Sequence, residues 1–248
     1  MNEIGTPLIQ LSEVSLSFTS FGLFRRSRFQ ALSDVSFAVY PGETFGIVGR
    51  NGCGKSTLLQ VVADVMAPDS GVITKSKNLK SALLTLGLGF NKQLTGRDNA
   101  ILSLMLQGAS RTEAIQRLES IKNFSELGGF FEKPVKTYSS GMRARLGFAT
   151  ALEANVDLLL IDETLSVGDK SFNEKAEWAL LDKISGVQTV IFVSHNAGQI
   201  ERLCARALWL EKGKVMMDGP AADVTDAYDT YMVKLKKGKA RERGFTQD

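Results

Sequence analysis

The stretch GRNGCGKST, residues 49–57, constrains this chain more than any other. The apolar run Thr44-Phe45-Gly46-Ile47-Val48 precedes it and reads as a buried strand. Leu58, Leu59, Val61, Val62, Val65 and Met66 follow at helical spacing and predict one apolar helix face. A strand, a glycine-rich turn and a helix form the context of a phosphate-binding P-loop. Gly49, Gly52 and Gly54 let the backbone take positive φ and come close to a ligand. The N–H groups of the loop and the positive end of the helix then face a polyanion. Lys55 adds a mobile charge for the β- and γ-phosphates, and the Ser56 hydroxyl suits Mg²⁺. Asn51, Cys53 and Thr57 complete the expected phosphate cradle. The expectation is a chain that binds a nucleoside triphosphate.

The 248 residues are enough for one large α/β domain or a domain with a helical insert. A formal charge of +3 gives no sign of a nucleic-acid partner. The two cysteines, Cys53 and Cys204, lie far apart without metal spacing, which fits a reduced compartment. The first residues lack a basic region followed by an apolar one, so no signal peptide is expected. No uncharged apolar run reaches the ~20 residues of a membrane span. A protein of this kind working at a membrane needs another chain for the span.

Residues 8–18 alternate as a half-covered strand. Phe21-Gly22-Leu23-Phe24-Arg25-Arg26-Ser27-Arg28 then breaks the alternation. It reads either as a solvated hairpin loop or as a contact for a membrane partner or an anionic lipid. Residues 31–40 resume as a strand, and Pro41-Gly42 turns into the P-loop strand. Pro68-Asp69-Ser70-Gly71 is a turn, with strands expected over 72–76 and 79–86. From Thr95 the period becomes helical, with an apolar face of Ile101, Leu102, Leu104, Met105 and Leu106. A capping box at Ser110 and Glu113 opens the next helix. Residues 156–161 form a short apolar run ending in Asp162-Glu163, the pattern of a central parallel strand with carboxylates at its C-terminal edge. A helix is expected over 171–184, opened by Ser171 and Glu174. A buried strand over 189–193 leads to Ser194-His195. A hairpin through Lys212-Gly213-Lys214, a helix over 224–235 and a charged, frayed tail over 236–248 close the chain.

The order of three motifs narrows the P-loop reading. Lys136-Thr137-Tyr138-Ser139-Ser140-Gly141-Met142-Arg143-Ala144-Arg145 is followed by Asp162-Glu163 and then by His195, the only histidine. This order resembles the ATP-binding subunits of ABC transporters over nearly the whole chain. The resemblance implies an α/β P-loop NTPase fold: a RecA-like core, an antiparallel β subdomain and a helical subdomain. Core and β subdomain would take about 1–94 and 155–235, and the helical subdomain about 95–154.

The same resemblance assigns expected roles. ATP and Mg²⁺ would be the ligands. Asp162 resembles the aspartate that holds Mg²⁺ through water, Glu163 the general base, and His195 the switch histidine that contacts the γ-phosphate. Ser139 and Gly141 sit in YSSGM where the family has its signature motif, which caps the ATP bound by the opposite subunit. Ser166-Val167-Gly168-Asp169 resembles the D-loop that crosses the dimer interface, giving Ser166 and Asp169 that place. Phe18 stands where the family has an aromatic residue on adenine; a buried strand residue is its other reading. The expected partners are a second copy of the chain and two copies of a membrane-spanning permease, at the cytoplasmic face of a bacterial inner membrane.

Within the family, SSGM, Gly87-Leu88-Gly89-Phe90, residues 94–99 and the run 204–210 resemble the branch exporting capsule, lipopolysaccharide O-antigen and teichoic acid. A lipid-linked glycan is then the indirect partner. No glutamine stands near Thr85 to Gly87, where the family's Q-loop residue falls, and Gln93 is the nearest. Another transporter class, or an ABC ATPase without a transport role, shares the same motifs. Cys53 reads as a small filler; its alkylation is expected to block nucleotide.

Overall fold

The computed structural model describes residues 5–21, 26–84, 90–162, 170–184 and 188–244. Two sheets organise these residues. An antiparallel sheet, ordered β2-β1-β4, is built from β1 (Ile9–Phe21), β2 (Arg26–Val39) and β4 (Ser70–Lys75). The larger sheet contains β3 (Thr44–Val48), β5 (Ser81–Leu84), β6 (Leu158–Ile161), β7 (Thr189–Ser194), β8 (Arg206–Glu211) and β9 (Lys214–Pro220). Its order is β5-β6-β7-β3-β8-β9, parallel through β8 and closed by antiparallel β9.

The central strands are apolar throughout because both faces are covered. In β6, Leu158 and Leu160 join one buried cluster while Leu159 and Ile161 join another. In β7, Ile191 and Val193 take the first and Val190 and Phe192 the second. The first cluster also holds the inner face of the antiparallel sheet and Leu58 and Leu59 of α1 (Lys55–Val62). The second packs α5 (Ser140–Leu152), α6 (Lys170–Ile184), α7 (Ala197–Leu203) and α8 (Ala221–Gly244) against the other face. Each buried Leu, Ile or Phe contributes about 1.5–3 kcal/mol, so this sandwich fixes the sheet edge that carries the site.

A third cluster gathers the helical segment: α2 (Gly96–Leu106), α3 (Arg111–Gln116), α4 (Leu118–Ser125) and Leu146 and Ala149 from the middle of α5. Thr95 caps α2, its hydroxyl accepting from the Asp98 N–H. Ser110 and Glu113 form the expected capping box. Buried Asn99 ties the entry loop down, donating to the Asn91 and Thr95 carbonyls and accepting from the Asn91 N–H. The Tyr138 hydroxyl donates to the Phe130 carbonyl at 2.6 Å, and burial pushes its pKa up to about 12.

Several expectations need correction. The ribbon of β1 and β2 runs on as strand to Phe21 and from Arg26, so alternation does not stop at the basic run. Cross-strand pairing carries it where hydrophobic pattern does not. Helix α1 ends at Val62, and Val65 is 65% exposed. Asp64 there adopts φ 58, and the Lys75 ammonium takes the Val62 carbonyl and the Asp64 carboxylate, stopping the helix. In α2 the covered face is Ala100, Leu104 and, in part, the expected Ile101; Leu102, Met105 and Leu106 are exposed. Ser171 lies inside α6, which has begun by Lys170. Helix α7 was not expected from the sequence; Asn196 caps it. Helix α8 continues through Gly244, past residue 235, because Lys, Ala, Arg and Glu beyond that point are strong helix formers.

Candidate nucleotide site

Strand β3 ends at Val48, and the loop turns back on itself as the Cys53 N–H donates to the Arg50 carbonyl at 3.2 Å. Gly54 forms the N-cap of α1 with φ 112, and no side chain caps the helix or places a carboxylate in its first turn. The helix entrance therefore offers backbone donors and positive potential with no built-in anion. A Cβ on Gly54 would stand 2.6 Å from the Ala31 carbonyl oxygen, and one on Gly49 would stand 2.2 Å from the Leu210 carbonyl oxygen. Glycine is required at both because other backbone segments lie directly against the loop.

Those neighbours brace it. The Gly213 N–H donates to the Cys53 carbonyl at 2.8 Å, while the Gly213 carbonyl accepts from the Ser33 N–H at 2.8 Å. The Ala31 carbonyl oxygen lies against Gly54 on one side and against Gly213 on the other. Cys53 is buried with its sulfur beside Gly49, and burial pushes its thiol pKa up. Asn51 and Gly52 form the exposed tip, Ser56 is exposed at the helix entrance and Thr57 is half-buried.

Lys55, buried at 6% exposure, folds across its own loop. Its ammonium donates to the Gly49 carbonyl at 2.6 Å and the Arg50 carbonyl at 3.0 Å. Burial pulls its pKa down, opposed by the charges of Cys53, Asp162 and Glu211. Phosphate oxygens are stronger acceptors for an ammonium than carbonyls, so a polyanion at the helix entrance can take this side chain over.

Strand order explains why distant motifs meet. Strands β3, β7 and β6 are consecutive neighbours running in parallel. Their C-terminal ends lead into the P-loop, His195 and Asp162, which fall along one sheet edge. Asp162 directly follows β6, is half-buried and acts electrostatically on Lys55. His195 is exposed, one residue past Ser194. The Ser194 hydroxyl donates to Gln199 and accepts from the Asn196 N–H, fixing the turn that carries the histidine. The Ser56 hydroxyl and the Asp162 carboxylate are hard oxygen donors beside the phosphate loop, a set that fits Mg²⁺.

The other expected residues are distributed differently. Ser139 caps α5, accepting from the Met142 N–H at 3.1 Å, and Gly141 lies in its first turn, both in the helical segment. Phe18 is 39% exposed on β1, so its reading as a buried strand residue is set aside. Glu163, Ser166 and Asp169 lie outside the described residues, as do residues 85–89 and residues 22–25 of the run that includes the basic segment. Gln93 is exposed and accepts from Lys136. Sequence reasoning missed Arg50 and Glu211, which pair at 3.4 Å and tie the P-loop to the end of β8. Glu211 is buried at 6% exposure and its Oε2 meets no protein donor. A carboxylate just before the Lys212-Gly213 turn was the available signal.

Comparison with known proteins agrees with this geometry. The family model described as "ABC transporter" matches residues 32–166. The ABC transporter protein AbcA of Aeromonas salmonicida is 46% identical over 87% of this chain and 70% of that protein. The O-antigen export system ATP-binding protein RfbB of Klebsiella pneumoniae is 42% identical over 86% of each chain. The teichoic acids export ATP-binding protein TagH of Listeria innocua is 39% identical over 84% of this chain, which spans 62% of that protein. Among solved structures, the ATP-binding cassette MJ0796, a dimer bound to ADP and Pi, superposes with a TM-score of 0.72 at 23% identity. It covers 86% of this chain and 98% of its own, a likeness of fold alone. With its P-loop, strand order and relatives in agreement, the chain belongs to the ABC transporter family.

Proposed function

We propose that this chain is the ATP-hydrolysing subunit of a membrane exporter of lipid-linked polysaccharide, of the O-antigen, capsule or teichoic acid class. The observation that carries the ATPase reading is the convergence of the P-loop, Asp162 and His195 at the ends of three adjacent parallel strands. The similarity to proteins named for O-antigen and teichoic acid export supports the substrate class. Among the described residues no helix is long and apolar enough to cross a membrane. The exporter reading therefore includes a separate permease, two copies per pair of ATPase subunits, with this chain attached at the cytoplasmic face.

In this mechanism the triphosphate lies at the entrance of α1, where backbone N–H groups and Lys55 bind its β- and γ-phosphates. Ser56 and Asp162 would hold Mg²⁺, which when bound neutralises part of the phosphate charge. Glu163 takes the proton of the attacking water, and His195 keeps the γ-phosphate and water aligned. Two copies of the chain pair head to tail, so that Ser139 and Gly141 of one close over the nucleotide of the other. The dimeric form of the MJ0796 cassette supports that pairing. Closure of the helical segments then drives the permease, and hydrolysis resets it.

The test is Glu163→Gln in the full chain, with ATP and magnesium, by sedimentation and phosphate release. ATP-dependent dimers with turnover reduced at least a hundredfold are expected. Undiminished turnover removes Glu163 from its role, and a monomer at every concentration removes the paired site. Co-purification with a multi-span membrane protein, and loss of surface glycan on deletion, test the exporter assignment; normal glycan export without this chain rejects it.

A further inference from the structure

Strand β8 ends in a buried carboxylate, one oxygen of which lacks a donor. Along this strand Leu208 and Leu210 face one buried cluster, while Ala207 and Trp209 face the cluster beneath α8. Residues two apart on a strand share a face, so Glu211 continues the side of Trp209. Tyr228 of α8 packs edge-on against Trp209, with ring centres 5.9 Å apart. The charges of Glu211 and Arg50 both reach the Tyr228 hydroxyl. Glu211 Oε1 meets the Arg50 guanidinium at 3.4 Å, whereas Oε2 meets no donor among the described residues. A buried oxygen left without a donor works against folding. The stability of β8 therefore does not explain why a carboxylate stands here.

Strand register shows what it holds. Val48 of β3 pairs with Trp209 of β8, so Arg50 and Glu211, each two residues farther on, stand at one level. There β3 leaves the sheet as the phosphate loop, and a side-chain pair takes over where backbone pairing stops. The Arg50 carbonyl accepts from the Cys53 N–H at 3.2 Å and from the Lys55 ammonium at 3.0 Å. Guanidinium and carbonyl belong to one residue, so a grip on the first restrains the second. The P-loop pattern leaves position 50 open between Gly49 and Gly54, so the motif itself does not supply this grip. We propose that Glu211 is a positioning residue for nucleotide binding, acting through Arg50 to keep the loop and Lys55 in the geometry that receives the phosphates. The assignment rests on the nucleotide-binding reading above and adds a residue more than 150 positions away from the loop in the chain.

The test sets affinity against stability. Glu211→Leu, Glu211→Gln and Glu211→Asp are prepared in the full chain, and ATP binding is measured by calorimetry, with phosphate release beside it. Leucine fills the buried position without charge, and the Arg50 side chain, 35% exposed, turns to water. Replacing a buried ion by an apolar residue is often neutral or stabilising, so the nucleotide-free Tm of Glu211→Leu stays within about 3 °C of the parent or rises. ATP nevertheless binds about tenfold more weakly, with KM raised alike and kcat within about twofold. Glu211→Gln keeps an acceptor and loses about threefold, while Glu211→Asp keeps the charge and stays within about twofold. In an Arg50→Gln background Glu211→Leu has no further effect on ATP, because the grip is already gone. A residue that only packs β8 would lose Tm and affinity together, and equally with or without Arg50; either result overturns the inference. Unchanged ATP affinity in Glu211→Leu also overturns it and leaves the nucleotide site standing. A parent protein that binds no ATP rejects that site, and the inference with it.

Discussion

Replacing Gly54 by alanine makes two demands on the phosphate loop at once. The residue sits at φ 112 and ψ 0, outside the region L-residues occupy, which costs about 1–2 kcal/mol. The new methyl would also lie 2.6 Å from the Ala31 carbonyl oxygen and 3.2 Å from Leu32 Cδ2. A side chain can swing away, but a carbonyl fixed in β2 cannot move without the strand, adding about 1–3 kcal/mol. The sum, about 3 kcal/mol, is a large part of the ~5–15 kcal/mol that holds a typical domain together. At roughly 2–4 °C per kcal/mol for a chain of this size, Tm falls by about 6–12 °C. Gly52→Ala is the control: φ is 77 there, but no atom lies within 4 Å of the added Cβ. Only the strain remains, about 1 kcal/mol and 2–4 °C. Both variants are melted by calorimetry without nucleotide, so that ligand binding does not shift the transitions. If the two melt together, or if Gly52→Ala melts lower, the close approach of β2 to the loop is not what requires glycine at position 54.

Two further outcomes follow from buried groups. Cys53 is packed beneath the loop with a thiol pKa raised by burial, so its thiolate fraction at a given pH falls below that of an exposed cysteine. Iodoacetamide should label it far more slowly in the native chain than in denaturant, with the native rate still rising above pH 9; equal rates refute the burial. Arg206 donates to Asp218 at 2.7 and 2.9 Å and to the Ala38 carbonyl at 2.9 Å, and lies 3.4 Å from Glu43. Arg206→Ala should cost about 2 kcal/mol, read from the urea midpoint at unchanged slope. Burial raises the Glu43 pKa while Arg206 opposes it, so removing the guanidinium raises it further. A raised folded pKa favours the protonated native state, and that stability is lost as pH rises through the folded pKa. The deficit of Arg206→Ala should therefore grow from about pH 4 to pH 7; a deficit that shrinks over that range refutes the pairing.

What the sequence disclosed depended on how local the cause was. The P-loop, the buried strands through Val48, Ile161 and Val193, and the capping box at Ser110 each follow from neighbours within a few residues. That Phe29 stands opposite Phe18 was not readable, because their pairing depends on hairpin register. Leu102, Met105 and Leu106 looked like part of a helix face, yet the covering elements reach Ala100, Ile101 and Leu104 instead. Val65 was misread for a related reason: Asp64 at positive φ and Lys75 from β4 end the helix first. Glu211 lies far from Arg50 in the chain, and no periodicity predicts their meeting. Local chemistry was visible in the string of residues; contacts made by sheet order and register were not.

The carbonyl of Ala31, wedged between Gly54 and Gly213, has a consequence for biosynthesis. The phosphate loop is translated well before one of its braces, the turn between β8 and β9. While that hairpin is still inside the ribosome, GRNGCGKST has its residues but not its full support. The nascent chain completes this support only when β8 and β9 emerge and their turn closes on a loop translated long before.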